Sequence, residues 1–139
     1  MSALPALSCA APAPLNTPGL QVPSARELAA LIGRHRYRYQ SEEVLQAGIA
    51  EVFDTAGIQY ERELYLNSRD RLDFRVGGTA IEVKIKGSQM QLVRQIARYV
   101  EHPDVAAVLV VGTPAWVNLI PGELHGKPVY RLRLVGSML

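Results

Sequence analysis

Two consecutive glycines, Gly77 and Gly78, separate two runs in which apolar and polar residues alternate, Arg71 to Val76 and Thr79 to Lys86. No other feature constrains the fold as tightly. Alternation of period two is the pattern of a strand with unlike faces, and a two-glycine connection predicts a tight hairpin, because glycine accepts the positive φ such turns require. The turn sets a register in which the numbers of opposed residues sum to 155, so Val76 faces Thr79, Phe74 faces Ile81 and Asp73 faces Glu82. Counting outward from the turn, the last of these is a non-hydrogen-bonded pair with Cα atoms about 4.5 Å apart. Like charges directly opposite destabilise a sheet, so a compensating group is expected. By the same alternation Leu72, Phe74 and Val76 share an apolar face with Ile81, Val83 and Ile85. The other face collects Arg71, Asp73, Arg75, Glu82, Lys84 and Lys86.

Around the hairpin the periodicity is helical before and mixed after. Ser24 is placed to cap a helix through Leu28, Leu31 and Ile32, which runs into Arg34-His35-Arg36-Tyr37-Arg38-Tyr39. Ser41 caps a second helix with Leu45, Ile49, Val52, Phe53 and Ala56 on its inner arc, closed by Gly57. Ile58 to Leu66 reads as a strand and Asn67 to Asp70 as a turn. Beyond the hairpin, Ser88 caps a helix with Leu92, Val93, Ile96 and Val100 inside, ending near His102-Pro103. Val105 to Val111 is almost wholly apolar, as a strand covered on both faces should be. A Pro/Gly-bounded segment around Trp116 and a last strand, Val129 to Val135, complete the chain. The order after residue 40 is α-β-β-β-α-β, then a loop and an edge strand. Residues 1–23 hold no ionisable side chain except Cys9 and are interrupted by Pro5, Pro12, Pro14, Pro18 and Pro23, the pattern of a flexible tail. A secretory signal over Leu4 to Ala13 is the rival reading, opposed by the missing basic n-region and by the prolines. One domain over 24–139 is expected, with its core at about 41–111.

The 139 residues are 48% apolar and 20% charged, enough to bury the core of one α/β domain. No apolar run approaches the roughly 20 residues of a membrane span. A single cysteine excludes a disulfide framework and a Cys-based zinc cluster and suits a reducing cytoplasm. Fifteen Lys and Arg against thirteen Asp and Glu leave a net charge of +2, so only the placement of charge can point to a nucleic-acid partner. Arg34, Arg36 and Arg38 alternate with tyrosines, which suits a phosphate backbone with stackable bases; a solvated face with packed tyrosines fits the same pattern. Arg94 and Arg98 form a basic stripe on the outer side of the third helix. His35, His102 and His125 have no metal-ligand spacing, and no Ser/His/Asp or Cys/His set is assembled.

The paired carboxylates carry the chemistry. Asp73 and Glu82 with Lys84 two residues beyond are the parts of a divalent-metal site that hydrolyses a phosphodiester: hard oxygen ligands hold Mg²⁺, and an ammonium group stabilises charge or helps activate a water. The plain alternative is a solvent-facing ladder in which Lys84 and the arginines neutralise the two acids.

Arg71-Leu72-Asp73-Phe74, eight further residues from Asp73 to the next acid, and Glu82-Val83-Lys84 together resemble the D…ExK motif of the PD-(D/E)xK nuclease superfamily. The element order is similar to that superfamily's restriction-endonuclease-like core, a mixed central sheet flanked by helices. Gln95-Ile96-Ala97-Arg98-Tyr99 resembles the QxxxY element of its RecB-like and phage-exonuclease branches, relatives of the Holliday-junction resolvases. Leu72 stands where the family often has proline, and no RecB-type histidine precedes the motif. The resemblance implies a Mg²⁺- or Mn²⁺-dependent DNA endonuclease of recombination, repair or phage DNA processing, with Asp73, Glu82 and the Val83 carbonyl on the metal and Lys84 on the attacking water. It also implies a glutamate from the first core helix. At 100° per residue Glu42 falls inside the apolar arc of that helix while Glu43 and Glu51 fall outside it; a first-turn glutamate favoured by the helix dipole is the alternative. Gln95 and Tyr99 lie four apart at the margin of the apolar stripe, within reach of the metal-bound water or the substrate backbone, or else form a core tyrosine with a surface glutamine. DNA is the expected partner, no nucleotide cofactor is expected, and a C₂ homodimer through the last strand and the Trp116 segment would supply two cleavage centres. A non-catalytic module that kept the fold to bind nucleic acid or protein is the competing function, opposed by the intact Asp73, Glu82 and Lys84.

Overall fold

A computed structural model describes residues 21–136, so all but the last three residues of the expected tail lie outside it. Helix α1 (Ala25–Gly33) starts in a capping box, in which Ser24 Oγ accepts from the Glu27 amide and the Glu27 carboxylate accepts from the Ser24 amide. Helix α2 (Glu42–Ala56) is capped by Ser41 and stopped by Gly57 at φ 73°. Then follow β1 (Glu61–Tyr65), β2 (Arg71–Val76), β3 (Thr79–Lys84), α3 (Gln89–Tyr99), β4 (Ala107–Gly112), a 3₁₀ turn (Ala115–Leu119), β5 (Glu123–Leu124) and β6 (Lys127–Arg133). They build one six-stranded mixed sheet of order β1-β2-β3-β4-β6-β5. Strands β1, β2 and β3 form an antiparallel meander, β3, β4 and β6 run parallel, and β5 pairs antiparallel with β6. The α3 crossover makes the parallel β3–β4 pairing possible.

The two faces bury different helices. Leu28, Ile32, Leu45, Ile49 and Phe53 of α1 and α2 pack on Phe74, Val76, Ile81, Val83, Leu109 and Val111. Leu92, Ile96 and Tyr99 of α3 pack on Leu72, Ala80, Val108, Val110 and Val129. Strand β4 is therefore covered on both sides, as its unbroken apolar run requires. Among the described residues no helix is long and apolar enough to cross a membrane.

The hairpin register holds for Val76–Thr79, Arg75–Ala80 and Phe74–Ile81. Of the two glycines only Gly77 takes a positive φ, 57°; Gly78 is needed for close approach, since a Cβ there would lie 3.1 Å from the Ala106 Cβ. Beyond Phe74 the ladder changes. The register assigns the Val83 amide to the Leu72 carbonyl, but Asp73 Oδ2 takes it instead, at 2.8 Å. Leu72 accordingly leaves the face it was expected to share with Phe74 and Val76 and packs under α3. Strand β1 starts at Glu61 rather than Ile58, because the Ile58 amide closes α2 by donating to the Phe53 carbonyl and Tyr60 packs its ring, tilted, against Phe53 and Phe74. Strand β3 stops at Lys84 rather than Lys86, because the Ile85 amide goes to Glu42. The last strand spans Lys127–Arg133 and is not an edge, since it has β4 on one side and the short β5 on the other.

Candidate functional site

Asp73 and Glu82 are 7% and 3% exposed. A solvent-facing salt-bridge ladder is therefore ruled out: the alternation placed both acids on one side of the hairpin, and α3 covers that side. Tyr99 reaches from α3 with its hydroxyl 3.2 Å from Glu82 Oε1 and 2.9 Å from the Arg71 carbonyl oxygen, while Gln95 Nε2 donates to that hydroxyl at 2.7 Å. Gln95 and Tyr99 thus face Glu82 and form a relay that orients its carboxylate. Lys84 Nζ stands 3.6 Å from the other oxygen of Glu82.

Glu42 comes to the same place from the first turn of α2, where its Oε2 accepts from the Ile85 amide at 3.1 Å. The amides of Val83 and Ile85 thus each meet a carboxylate, that of Asp73 and that of Glu42. A residue's N–H and C=O point to the same side of a strand, so the Val83 carbonyl aims toward Asp73. Glu43 is exposed.

The electrostatics follow from burial. Loss of water, then the charge of Asp73, push the Glu82 carboxyl up to about 8, against the pull of Lys84 and the Tyr99 hydroxyl. Asp73 is also raised, by burial first and by the charge of Glu42, while the Val83 amide and Lys84 act against it. The charge of Asp73 opposes ionisation of Glu82, as it must when two buried acids occupy one site. Burial and the same two acids raise Tyr99, so it remains a donor.

These donors fit a hard divalent cation. Among the described residues no three His, Cys, Asp or Glu side chains form a ready-made cage. The chain offers two carboxylates and a backbone carbonyl, with Glu42 beyond, which is how Mg²⁺ is commonly held: one or two carboxylates and several waters.

The basic residues separate. Arg34, Arg36 and Arg38 are exposed between α1 and α2, but Tyr37 is buried and donates to the Ile32 carbonyl at 2.8 Å, so it is no stacking platform. Arg94 is exposed. Arg98 leaves the expected outer stripe: its Nε donates to Asp70 Oδ1 at 2.9 Å, and Asp70 is buried. Burial opposes the Asp70 charge, yet hydrogen bonds from Arg98 and Asn67 and the Arg98 charge hold its carboxyl below the ordinary range. Asp70 was not foreseen; its signal was the Asn67-to-Asp70 turn, in which Asn67 Oδ1 accepts from the Arg69 and Asp70 amides. Gly112 and Thr113 were missed as well. The Thr113 amide donates to the Lys84 carbonyl at 3.1 Å, and a Cβ on Gly112 would fall 2.5 Å from that carbonyl oxygen. Comparisons with protein-family models, with curated proteins and with solved structures found no match for this chain.

Proposed function

We propose that the protein is a Mg²⁺-dependent DNA nuclease with a restriction-endonuclease-like core, acting in recombination, repair or phage DNA processing. One observation carries the reading: Asp73 and Glu82 lie buried side by side with Lys84 Nζ 3.6 Å from Glu82. Buried paired carboxylates burden a fold unless a proton or a cation neutralises them. The resemblance of Asp73, Glu82-Val83-Lys84 and Gln95-to-Tyr99 to the superfamily's motifs supports the same conclusion.

Asp73, Glu82 and the Val83 carbonyl would hold the cation. Bound there, Mg²⁺ or Mn²⁺ would offset charge developing on the phosphate and lower the pKa of a coordinated water. Lys84, at the carboxyl end of β3, would position that attacking water and steady the charge it develops. Gln95 and Tyr99 keep Glu82 in a single orientation, and Glu42 holds the β3 terminus. Symmetric cutting of a duplex would take two copies; with β6 internal, the exposed strand edges available to a partner are β1 and β5.

Cleavage of branched, duplex and single-stranded DNA in Mg²⁺ or Mn²⁺ tests the proposal. Asp73→Asn and Lys84→Ala should each lower the rate by about 10² or more, in the range of losing one preorganised stabilising group, while leaving the far-ultraviolet spectrum unchanged. Cleavage at the wild-type rate by both variants refutes the assignment. Calorimetry that finds no divalent ion bound at millimolar concentration points instead to a non-catalytic binding module.

A further inference from the structure

Three arginines sit on strands β1 and β2, and two of them are matched by acids across the ribbon. Arg71 lies 3.9 Å from Glu63, and Arg75 lies 2.9 Å from Glu61. Arg62 is exposed and has no carboxylate partner among the described residues. Two neutral groups hold it instead. Its guanidinium lies over the Phe74 ring, 5.3 Å from the centroid, and its Nη2 donates to Gln46 Oε1 at 3.4 Å. Arginine has donors only, so the Gln46 oxygen must face it and the amide nitrogen must point away. No other hydrogen bond reaches the Gln46 side chain among the described residues, yet Gln46 is only 8% exposed. A half-satisfied buried amide is a costly cover for a core, where an apolar side chain of the same length would serve better.

The pair stands beside the carboxylates. Arg62 is the register partner of Phe74, and the adjoining residue of β2 is Asp73. On α2, Gln46 follows Glu42 by four residues, which puts their Cβ atoms about 5 to 6 Å apart, and the Glu42 charge acts on Asp73. Lys84 meets the acids on the side where Tyr99 of α3 contacts Glu82, whereas Arg62 flanks them from the α2 side. A guanidinium fixed by a ring face and an amide, and not neutralised by an acid, keeps its charge and most of its donor fork for an anion from outside.

Resting on the nuclease reading, we propose that Arg62 binds a DNA phosphate flanking the scissile bond and that Gln46 is the positioning residue that aims it. What this contact recognises is the phosphodiester backbone, without base identity.

The test uses full-length protein and three fluorescein-labelled probes, a duplex, a four-way junction and a single strand. Binding is measured in millimolar Ca²⁺ on an Asp73→Asn background, and cleavage in Mg²⁺ on the wild-type background. Arg62→Met keeps an apolar cover on Phe74 and removes the charge. It should weaken the tightest-binding probe by about tenfold or more, the range of one charged hydrogen bond. The log K versus log[salt] slope should fall by about 0.9 on duplex DNA or about 0.7 on a single strand. In cleavage it should raise KM by a similar factor, and by more than it lowers kcat. Arg62→Lys should keep the slope. Gln46→Glu gives Arg62 the carboxylate that Arg71 and Arg75 already have, so it should weaken binding as Arg62→Met does without lowering Tm; it carries the test if Arg62→Met does not fold. Slope and KM unchanged in both Arg62→Met and Gln46→Glu, with Tm alone altered, would make Arg62 a cover for Phe74 and overturn the proposal while the nuclease reading stands. Wild-type protein that binds no probe and cuts none overturns both.

Discussion

Glu82→Gln isolates the energetic claim at the centre of the site. The ordinary Glu value of 4.5 rises to about 8 in the metal-free protein, through burial and the neighbouring Asp73. A carboxyl whose folded pKa is raised keeps its proton in the folded state, so its contribution to stability is complete below 4.5 and is lost as pH climbs through about 8. At about 1.4 kcal/mol per pKa unit the rise sets a ceiling of about 5 kcal/mol; because Glu82 titrates together with the neighbouring Asp73, about 2 to 3 kcal/mol is expected for Glu82 alone. Metal-free wild-type protein should therefore lose roughly 10 °C in Tm between about pH 5 and pH 9. Glutamine retains the shape and the oxygen that accepts from Tyr99 but carries no charge, so the variant should be nearly flat over that window and more stable than wild type at the alkaline end. Thermal melts followed by circular dichroism in EDTA measure this, and the same series in millimolar Mg²⁺ supplies the converse. Cation and proton compete for the same oxygens, so Mg²⁺ should stabilise wild type increasingly with pH, following RT ln(1 + [Mg²⁺]/Kd), and should leave the variant almost unmoved. A wild-type Tm that is level or rising across the window without metal would mean that Glu82 is already ionised and satisfied, and that the pair has no need of a cation.

Tyr99→Phe removes the hydroxyl that meets Glu82 and the Arg71 carbonyl; denaturant unfolding should show a loss of about 1 to 3 kcal/mol, and calorimetry at neutral pH should show weaker Mg²⁺ binding, since the hydroxyl favours the ionised acid. Arg98→Ala strands the buried Asp70 and should cost about 2 to 3 kcal/mol, below the full buried-pair value because the arginine is partly exposed. The Asp70 carboxyl is depressed, so that difference is present above the ordinary 3.8 and should shrink in urea titrations as pH falls below it. Gly112→Ala drives a methyl against the Lys84 carbonyl oxygen at 2.5 Å and the Val117 Cγ2 at 3.2 Å. A backbone atom cannot step aside, so a destabilisation of about 1 to 3 kcal/mol is expected, with DNA cleavage falling further than Mg²⁺ affinity; cleavage at the wild-type rate would show that Lys84 tolerates displacement.

Local chemistry made much of the fold readable. Gly77-Gly78 gave the hairpin register, Ser24, Ser41 and Ser88 marked three helix starts, and Val105 to Val111 announced a strand covered on both faces. The same hairpin put Asp73 and Glu82 on one side although the ladder breaks before it reaches them, and the helical arc put Glu42 inward. What covers a strand, however, is a long-range property. Alternation placed the acids on one side without showing that α3 would bury that side, so a solvated ladder and a buried pair read alike. Arg98 and Asp70 are 28 residues apart and meet only because α3 crosses β2, whereas a helical wheel sees the arginine on the polar arc alone. Leu72 strayed because a side chain replaced a backbone acceptor, which no periodicity records. The interior position of β6 depended on β5, a two-residue strand too short to carry a pattern.

The bond from the Val83 amide to Asp73 has a consequence for ancestry. Asp73 closes the sheet where Leu72 turns away as well as serving the proposed cation site, so selection for a folded chain alone would retain an acceptor there. Lys84 has no such second employment beyond its contact with Glu82. If the proposed nuclease activity were lost in a lineage, the lysine would drift early and the aspartate late, with asparagine its mildest replacement. Across descendants of this chain, the identity of residue 84 is therefore the more sensitive record of whether the proposed activity was kept.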